Sequence, residues 1–174
     1  MLRRYFCPDD YLKSFREATP EFLAERGIKG IILDIDNTLA PYEMPDPDEE
    51  ILAWFASLES AGIRAAFVSN NHGDRVTRFN LPIGIPAFPD GKKPLRVGTR
   101  KALEAMGVSP EEAAIMGDQV FTDVWAGRRI GVRTILVPPI RDKRDIFTKS
   151  KRLLEKPILR YYAKKKKKDA ASNE

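Results

Sequence analysis

An α/β sandwich around a parallel sheet is the fold this sequence predicts, on three observations. Short apolar runs alternate with helix-period segments five times along the chain. The connections are short, and parallel strands need crossover helices to return the chain. The run before Asp34 is apolar throughout rather than alternating, as in a strand covered on both faces. Together they predict a three-layer α/β/α, doubly wound domain with five parallel strands.

The elements follow in order. Residues 1–27 read as a helical lead-in: Pro8 can open one helix with Tyr11, Leu12 and Phe15 on one side. Thr19 as N-cap, Pro20 at the first helical position and Gly27 beyond the end frame a second helix. Gly30 to Asp34 is the first strand. Asp46-Pro47-Asp48-Glu49 carries an N-cap, helix-start and capping-box signature. Ile51, Leu52, Phe55 and Leu58 continue that helix, and Gly62 ends it. Ile63 to Val68 is the second strand, 72–80 a helix and Gly84 to Phe88 a short third strand. Lys92-Lys93-Pro94 precedes a helix to about Met106, closed by Gly107. A capping box at Ser109-Pro110-Glu111-Glu112 leads to the fourth strand, Ala113 to Met116. A helix over 121–130, closed by Gly131, leads to the fifth, Val132 to Val137.

Length and composition suit one globular domain over residues 1–140, followed by a basic segment, 141–174. The chain has 174 residues, 43% hydrophobic and 32% charged, enough for a full core. One cysteine, Cys7, excludes an internal disulfide and suits a reducing, cytoplasmic compartment. Neither a membrane span nor a signal peptide is expected. The net charge of +5 is unevenly spread: residues 1–140 hold 17 basic and 20 acidic side chains, and residues 141–168 hold 13 and 3.

Chemistry concentrates at strand ends, where open α/β sheets bind ligands. Gly30-Ile31-Ile32-Leu33-Asp34-Ile35-Asp36-Asn37-Thr38 sends two aspartates out of an apolar strand. Two such carboxylates resist burial unless a cation compensates them. Their economical reading is a magnesium site with one carboxylate free to act as nucleophile; the bland one is a solvated turn. Ser69 closes the second strand, as a phosphate-binding hydroxyl or a strand-end cap. Of the adjacent Lys92 and Lys93, one faces solvent. Asp118 and Asp123 follow the fourth strand. His72 reads as a surface residue, and Trp54 and Trp125 as core.

These residues carry a family resemblance. Asp34-Ile35-Asp36-Asn37-Thr38, then Ser69, then Lys93, then Gly117-Asp118-Gln119 with Thr122-Asp123 resemble the four motifs of the haloacid dehalogenase (HAD) superfamily of phosphohydrolases. The resemblance covers residues 30–137 and implies a HAD-like Rossmannoid sheet of strand order 3-2-1-4-5, the Asp34 strand central. It implies Asp34 as nucleophile, Asp36 as general acid and base, and Lys93, chosen because it abuts Pro94, as the charge facing the phosphoryl group. Thr38, Ser69 and Asn70 would hold the phosphate. Asp34, the main-chain carbonyl of Asp36 and Asp118 would hold Mg²⁺, with Asp123 behind them as a supporting carboxylate. Asp36 to Ile63 and Ser69 to Lys93 leave no room for a cap domain, so a capless, open site is expected. Residues 1–39, Ser69-Asn70-Asn71 and Gly117-Asp118-Gln119 are similar to the YqeG family of subclass IIIA, itself similar to phosphatidylglycerophosphate phosphatases.

The basic segment places Ile146, Phe147, Leu153, Leu154, Ile158 and Tyr161 at helix-compatible spacing, with Pro157 opposing one straight helix. It can dock on the body, lie on an anionic membrane or bind RNA. The expected function is a Mg²⁺-dependent phosphomonoesterase acting through an aspartyl-phosphate, on phosphatidylglycerophosphate or on a soluble sugar phosphate or nucleotide. A nucleic-acid- or protein-binding module on the same scaffold is the reading from another class.

Overall fold

The computed structural model describes residues 5–141 and 153–164. Six parallel strands form one sheet: β1 (Asp10–Tyr11), β2 (Gly30–Leu33), β3 (Arg64–Val68), β4 (Ala87–Phe88), β5 (Ala113–Gly117) and β6 (Arg133–Leu136). Their spatial order is β1-β6-β5-β2-β3-β4. The five expected strands run in the expected order, with the Asp34 strand flanked by β3 and β5. The sixth corrects the expected five-strand sheet: β1 pairs in parallel with β6.

That strand also corrects the N-terminal lead-in. Where a helix was expected from Pro8, the chain holds β1 and then a 3₁₀ turn, Phe15–Glu17. The reason is non-local. Asp9 donates its N–H to the Thr134 carbonyl at 2.9 Å, and its Oδ2 accepts from the Thr134 N–H at 2.8 Å. Asp10 meets Arg133 at 2.6 Å. The open edge of β6 thus recruits the N-terminal segment, and helix periodicity loses to edge pairing.

The remaining elements sit where sequence chemistry put them. Thr19 caps α1 (Pro20–Ala24) by accepting from the Phe22 N–H at 3.2 Å. Asp48 caps α2 (Glu49–Ser60) through the Ile51 N–H at 2.9 Å. Next come α3 (Gly73–Asn80) and α4 (Arg96–Met106), whose end is the left-handed Gly107. The expected helix over 121–130 divides into a π-helical turn, Val120–Val124, and α5 (Trp125–Ile130).

Successive residues of β2 feed opposite layers, as a pleated strand requires. Ile31 and Leu33 pack with Phe15, Leu23 and α2, and an edge-to-face aromatic series runs Phe15–Trp54–Phe55–Phe67–Phe79. Ile32 faces the other way, with Ala66, Val68 and the α4 residues Ala102, Leu103 and Met106. Three layers result, and burying all of β2 leaves its carboxyl end as the one place for its polar continuation.

A last helix, α6 (153–164), docks on the body. Glu155 accepts the Val120 N–H at 2.8 Å, Tyr162 donates to the Asp9 carbonyl at 3.3 Å, and Ile158 and Leu159 pack near Val120, Val124 and Leu136. The docked face is therefore 155, 158, 159 and 162, which is helical spacing. Leu153, Leu154 and Tyr161, expected on the apolar face, are exposed instead, and Pro157 is accommodated within the helix. Ile146, Phe147 and 165–174 lie outside the described residues.

Candidate active site

The parallel register brings the candidate residues to one sheet edge. Leu33 is level with Phe67 on β3 and Met116 on β5, so Asp34, Ser69 and Asp118 leave the sheet side by side. The turn after β2 is tight: Asn37 takes a left-handed conformation at φ 65°, which asparagine tolerates better than most residues. Its N–H reaches the Ala40 carbonyl at 2.8 Å, and its carbonyl accepts from the Ile140 N–H at 3.1 Å. This loop keeps Asp36 and Thr38 buried beside Asp34.

Lys93, not Lys92, enters the site. Lys92 is exposed, whereas the Lys93 side chain is 2% exposed, with Nζ 2.7 Å from Asp34 Oδ1 and 2.6 Å from Asp123 Oδ1. Burial opposes its charge, but Asp123 and Asp34 outweigh burial and raise its pKa. Asp34 is pushed up to about 7 by burial, with Asp123 and Asp118 adding to the rise and Lys93 opposing it. Lys93 is itself held by Asn70, whose Oδ1 accepts the Lys93 N–H at 2.6 Å while its Nδ2 donates to the Lys93 carbonyl at 3.0 Å. The Asn70 amide, expected at the phosphate, is thus a bracket for the lysine.

Asp34, Asp118 and Asp123 bring carboxylate oxygens within 4.8 Å of one another, all three residues buried. Three carboxylates and one ammonium leave a deficit of positive charge in a dry place. A hard divalent cation with oxygen preference fits that donor set, and Mg²⁺ is such a cation. Asp123 is more central than expected. Beyond Lys93, its Oδ2 accepts from the Gln119 N–H at 3.2 Å and Thr122 Oγ1 at 3.1 Å. Gly117 makes this possible: a Cβ there would stand 2.1 Å from Asp123 Cγ. The π-helical turn carries Asp123 back under the strand end, a recurring use of π-bulges.

The Asp36 carboxylate lies outside that cluster. Its Oδ2 accepts from Asn71 Nδ2 at 3.0 Å, and its Oδ1 lies 3.3 Å from Arg75 Nη2. The sequence offered Asn71 only as part of the Ser69-Asn70-Asn71 resemblance and gave no signal for Arg75, since no spacing rule ties a helix-start arginine to a carboxylate 39 residues earlier. Ser69 Oγ accepts from the Asn71 N–H at 3.1 Å and keeps its own proton to donate. Thr38 Oγ1 is buried without a hydrogen-bond partner among the described residues. His72 is exposed and Trp54 buried, as expected; Trp125 is partly exposed.

Asp34, Asp36, Tyr42, Ser69, Asn70, Asn71 and Gln119 line a cleft of about 190 Å³. At roughly 30 Å³ per water, that is the room of about six waters, enough for a tetrahedral oxyanion but not for a large molecule. A groove of about 760 Å³ between α2, α4 and the 82–86 loop is larger, but it lies at the opposite edge of the sheet, away from the carboxylate cluster. The small cleft gathers two carboxylates, Asp34 and Asp36, and the Ser69 hydroxyl, with Lys93 Nζ hydrogen-bonded to Asp34.

Comparison with known proteins agrees. Residues 91–145 match the HAD-hydrolase-like family model. The chain is 38% identical to the probable phosphatase YqeG of Bacillus subtilis, over 91% of this chain and 92% of that one. It is 28% identical to the chloroplastic/mitochondrial phosphatidylglycerophosphate phosphatase 1 of Arabidopsis thaliana, over 94% of this chain but 50% of that protein. The cobalt-bound deoxy-D-mannose-octulosonate 8-phosphate phosphatase of Haemophilus influenzae shares the fold at a TM-score of 0.54 and 17% identity, over 79% of this chain and 91% of that one. With a 38% identity that extends over nearly the full length of the Bacillus protein added to this site, the chain belongs to the YqeG family of HAD-superfamily phosphatases.

Proposed function

We propose that the chain is a Mg²⁺-dependent phosphomonoesterase that works through an aspartyl-phosphate on Asp34, with phosphatidylglycerophosphate as substrate. The observation that carries the reading is the pairing of two carboxylates in one cleft with opposite surroundings. Asp34 sits in the ammonium-and-carboxylate cluster, and Asp36 stands apart from it beside Asn71 and Arg75. The cation that the cluster calls for would keep Asp34 ionised as a nucleophile, and Asp36, outside the cluster, is left for proton transfer.

An Asp34 oxygen attacks phosphorus in line, and the bond from phosphorus to the alcohol oxygen breaks. Asp36 gives its proton to that departing oxygen, then takes a proton from the water that opens the aspartyl-phosphate. The Thr38 and Ser69 hydroxyls and the main-chain amides after Asp34 and Ser69 hold the phosphoryl oxygens. The Lys93 ammonium, bracketed by Asn70, faces the negative charge that gathers there. Asp34, Asp118 and the Asp36 carbonyl would hold Mg²⁺, with Asp123 supporting Lys93 and the Gln119 amide. Bound there, the cation neutralises charge on the phosphoryl oxygens and on Asp34.

The lipid reading has three supports. Arabidopsis and Chlamydomonas relatives carry the name phosphatidylglycerophosphate phosphatase, although this chain spans about half the length of each. The cleft admits a phosphate and leaves the rest of the substrate outside. Large apolar side chains are exposed: Tyr42 lines the cleft, Ile140 donates its N–H to the Asn37 carbonyl in the turn after Asp36, and Leu153 and Leu154 open α6 beside Glu155, which accepts from Val120. With the basic residues of 141–168 they suit an anionic membrane surface. No helix among the described residues is long and apolar enough to cross a bilayer.

Phosphate release from phosphatidylglycerophosphate in mixed micelles, with Mg²⁺ or EDTA, tests the reading. Mg²⁺-dependent release abolished by Asp34→Asn is the expected result. Undiminished activity of Asp34→Asn would overturn the covalent mechanism. Hydrolysis of p-nitrophenyl phosphate without release from the lipid would overturn the lipid and point to soluble phosphate esters.

A further inference from the structure

Asp36 has a more elaborate setting than a carboxylate at a strand end requires. Its Oδ2 accepts from Asn71 Nδ2 at 3.0 Å. Asn71 is fixed in turn, because its own N–H donates to Ser69 Oγ at 3.1 Å and its Oδ1 accepts from the His72 N–H at 2.8 Å. The other oxygen, Oδ1, is buried and pairs by charge with Arg75, whose Nη2 lies 3.3 Å away without hydrogen-bond geometry. Arg75 sits in the first turn of α3, its side chain 12% exposed and its guanidinium 5.0 Å from the centre of the Phe79 ring. Its Nη1 donates to the Pro45 carbonyl at 3.0 Å. One turn later, Arg78 grips Asp46 with two hydrogen bonds, at 2.9 and 2.7 Å. The loop after the Asp36 turn is thereby pinned to α3, and Arg75 bridges that loop and the carboxylate.

We propose that Arg75 and Asn71 are positioning residues that fix the Asp36 carboxylate, one oxygen each, so that its proton is delivered to the leaving oxygen. The inference rests on the reading of Asp36 as general acid. The terminal torsion of an aspartate is broad, so an unheld carboxylate swings freely. General acid catalysis is worth about 10²–10⁴-fold, and a displacement of about 1 Å can forfeit on the order of 10²-fold. Asn71 holds Oδ2 by a hydrogen bond. Arg75 holds the buried one by charge, and its fork, unlike an ammonium, sets one nitrogen beside the carboxylate while another donates to the Pro45 carbonyl.

The test compares two leaving groups through kcat/KM, which reports the step in which the phosphorus–oxygen bond breaks. A nitrophenolate leaves without help, whereas the alkoxide of glycerol 3-phosphate needs a proton. Arg75→Gln and Asn71→Ala are expected to lower kcat/KM for glycerol 3-phosphate by about 10- to 100-fold more than for p-nitrophenyl phosphate. Asp36→Asn sets the upper limit of that difference, and Arg75→Lys recovers part of it. Equal losses on both substrates with Arg75→Gln and Asn71→Ala, while Asp36→Asn discriminates between them, would overturn the positioning role and leave the acid role standing. No discrimination by Asp36→Asn itself would overturn the acid role, and the proposal with it. If Arg75→Gln fails to fold, Arg75→Lys and Asn71→Ala carry the same comparison.

Discussion

Replacing Lys93 with methionine removes one charge from the buried cluster and little volume. The Lys93 and Asp123 side chains are each 2% exposed and that of Asp34 10%, so water does not screen what remains. Breaking a buried pair by deleting one partner costs about 3–5 kcal/mol. At about 2–4 °C per kcal/mol for a chain of this size, Lys93→Met should melt roughly 6–20 °C below the parent in EDTA near pH 8. The loss should shrink toward about pH 5, because a carboxylate relieved of its cation takes up a proton instead of staying charged. Lys93→Met with Asp123→Asn should regain part of the loss, by a coupling of about 0.5–3 kcal/mol. Activity should fall by about 10²–10³-fold, the usual cost of one donor at a developing charge. Thermal unfolding followed by circular dichroism, in EDTA at both pH values, measures the first three quantities. A Lys93→Met protein melting within about 2 °C of the parent near pH 8 would refute the electrostatic account of the cluster.

Two further outcomes follow from the same geometry. The Asp34 carboxyl, pushed up to about 7 from an ordinary 3.8, keeps a proton in the folded apoprotein that the unfolded chain has released between those values. Its contribution to stability therefore falls as pH rises through that window, and a cation relieves it. Millimolar Mg²⁺ should raise Tm more near pH 8 than near pH 5, and an equal rise at both would contradict the assignment. At the far end of the chain, Glu155→Ala should strip the buried Val120 N–H of the acceptor it has at 2.8 Å, costing about 1–3 kcal/mol. Limited proteolysis should then cut within 141–174 at lower protease concentration than in the parent, and unchanged resistance would show that Glu155 does not hold α6.

Local sequence determined the parts that are read within a few residues. The apolar run from Gly30 reads as a covered strand, which puts Asp34 at its carboxyl end. Thr19-Pro20 and Asp48-Glu49 placed helix starts because a cap is satisfied by the next three residues. Gly117-Asp118 stood at the end of the fourth apolar run, and its role, like that of Lys93, came from the family motif. Tertiary structure decided everything that depends on partners distant in sequence. The open edge of β6 turned residues 10–11 from helix to strand. Packing on Val120 and Leu136 chose which side of α6 would be buried, and it was not the side suggested by Leu153, Leu154 and Tyr161. The division of labour among the asparagines was equally hidden. Asn70 and Asn71 are adjacent in a strand-end turn, and their side chains reach Lys93 and Asp36, residues 23 and 35 positions away. A sequence lists the groups that can ionise or donate; which carboxylate meets the ammonium and which meets the guanidinium depends on how three crossovers stack at one sheet edge.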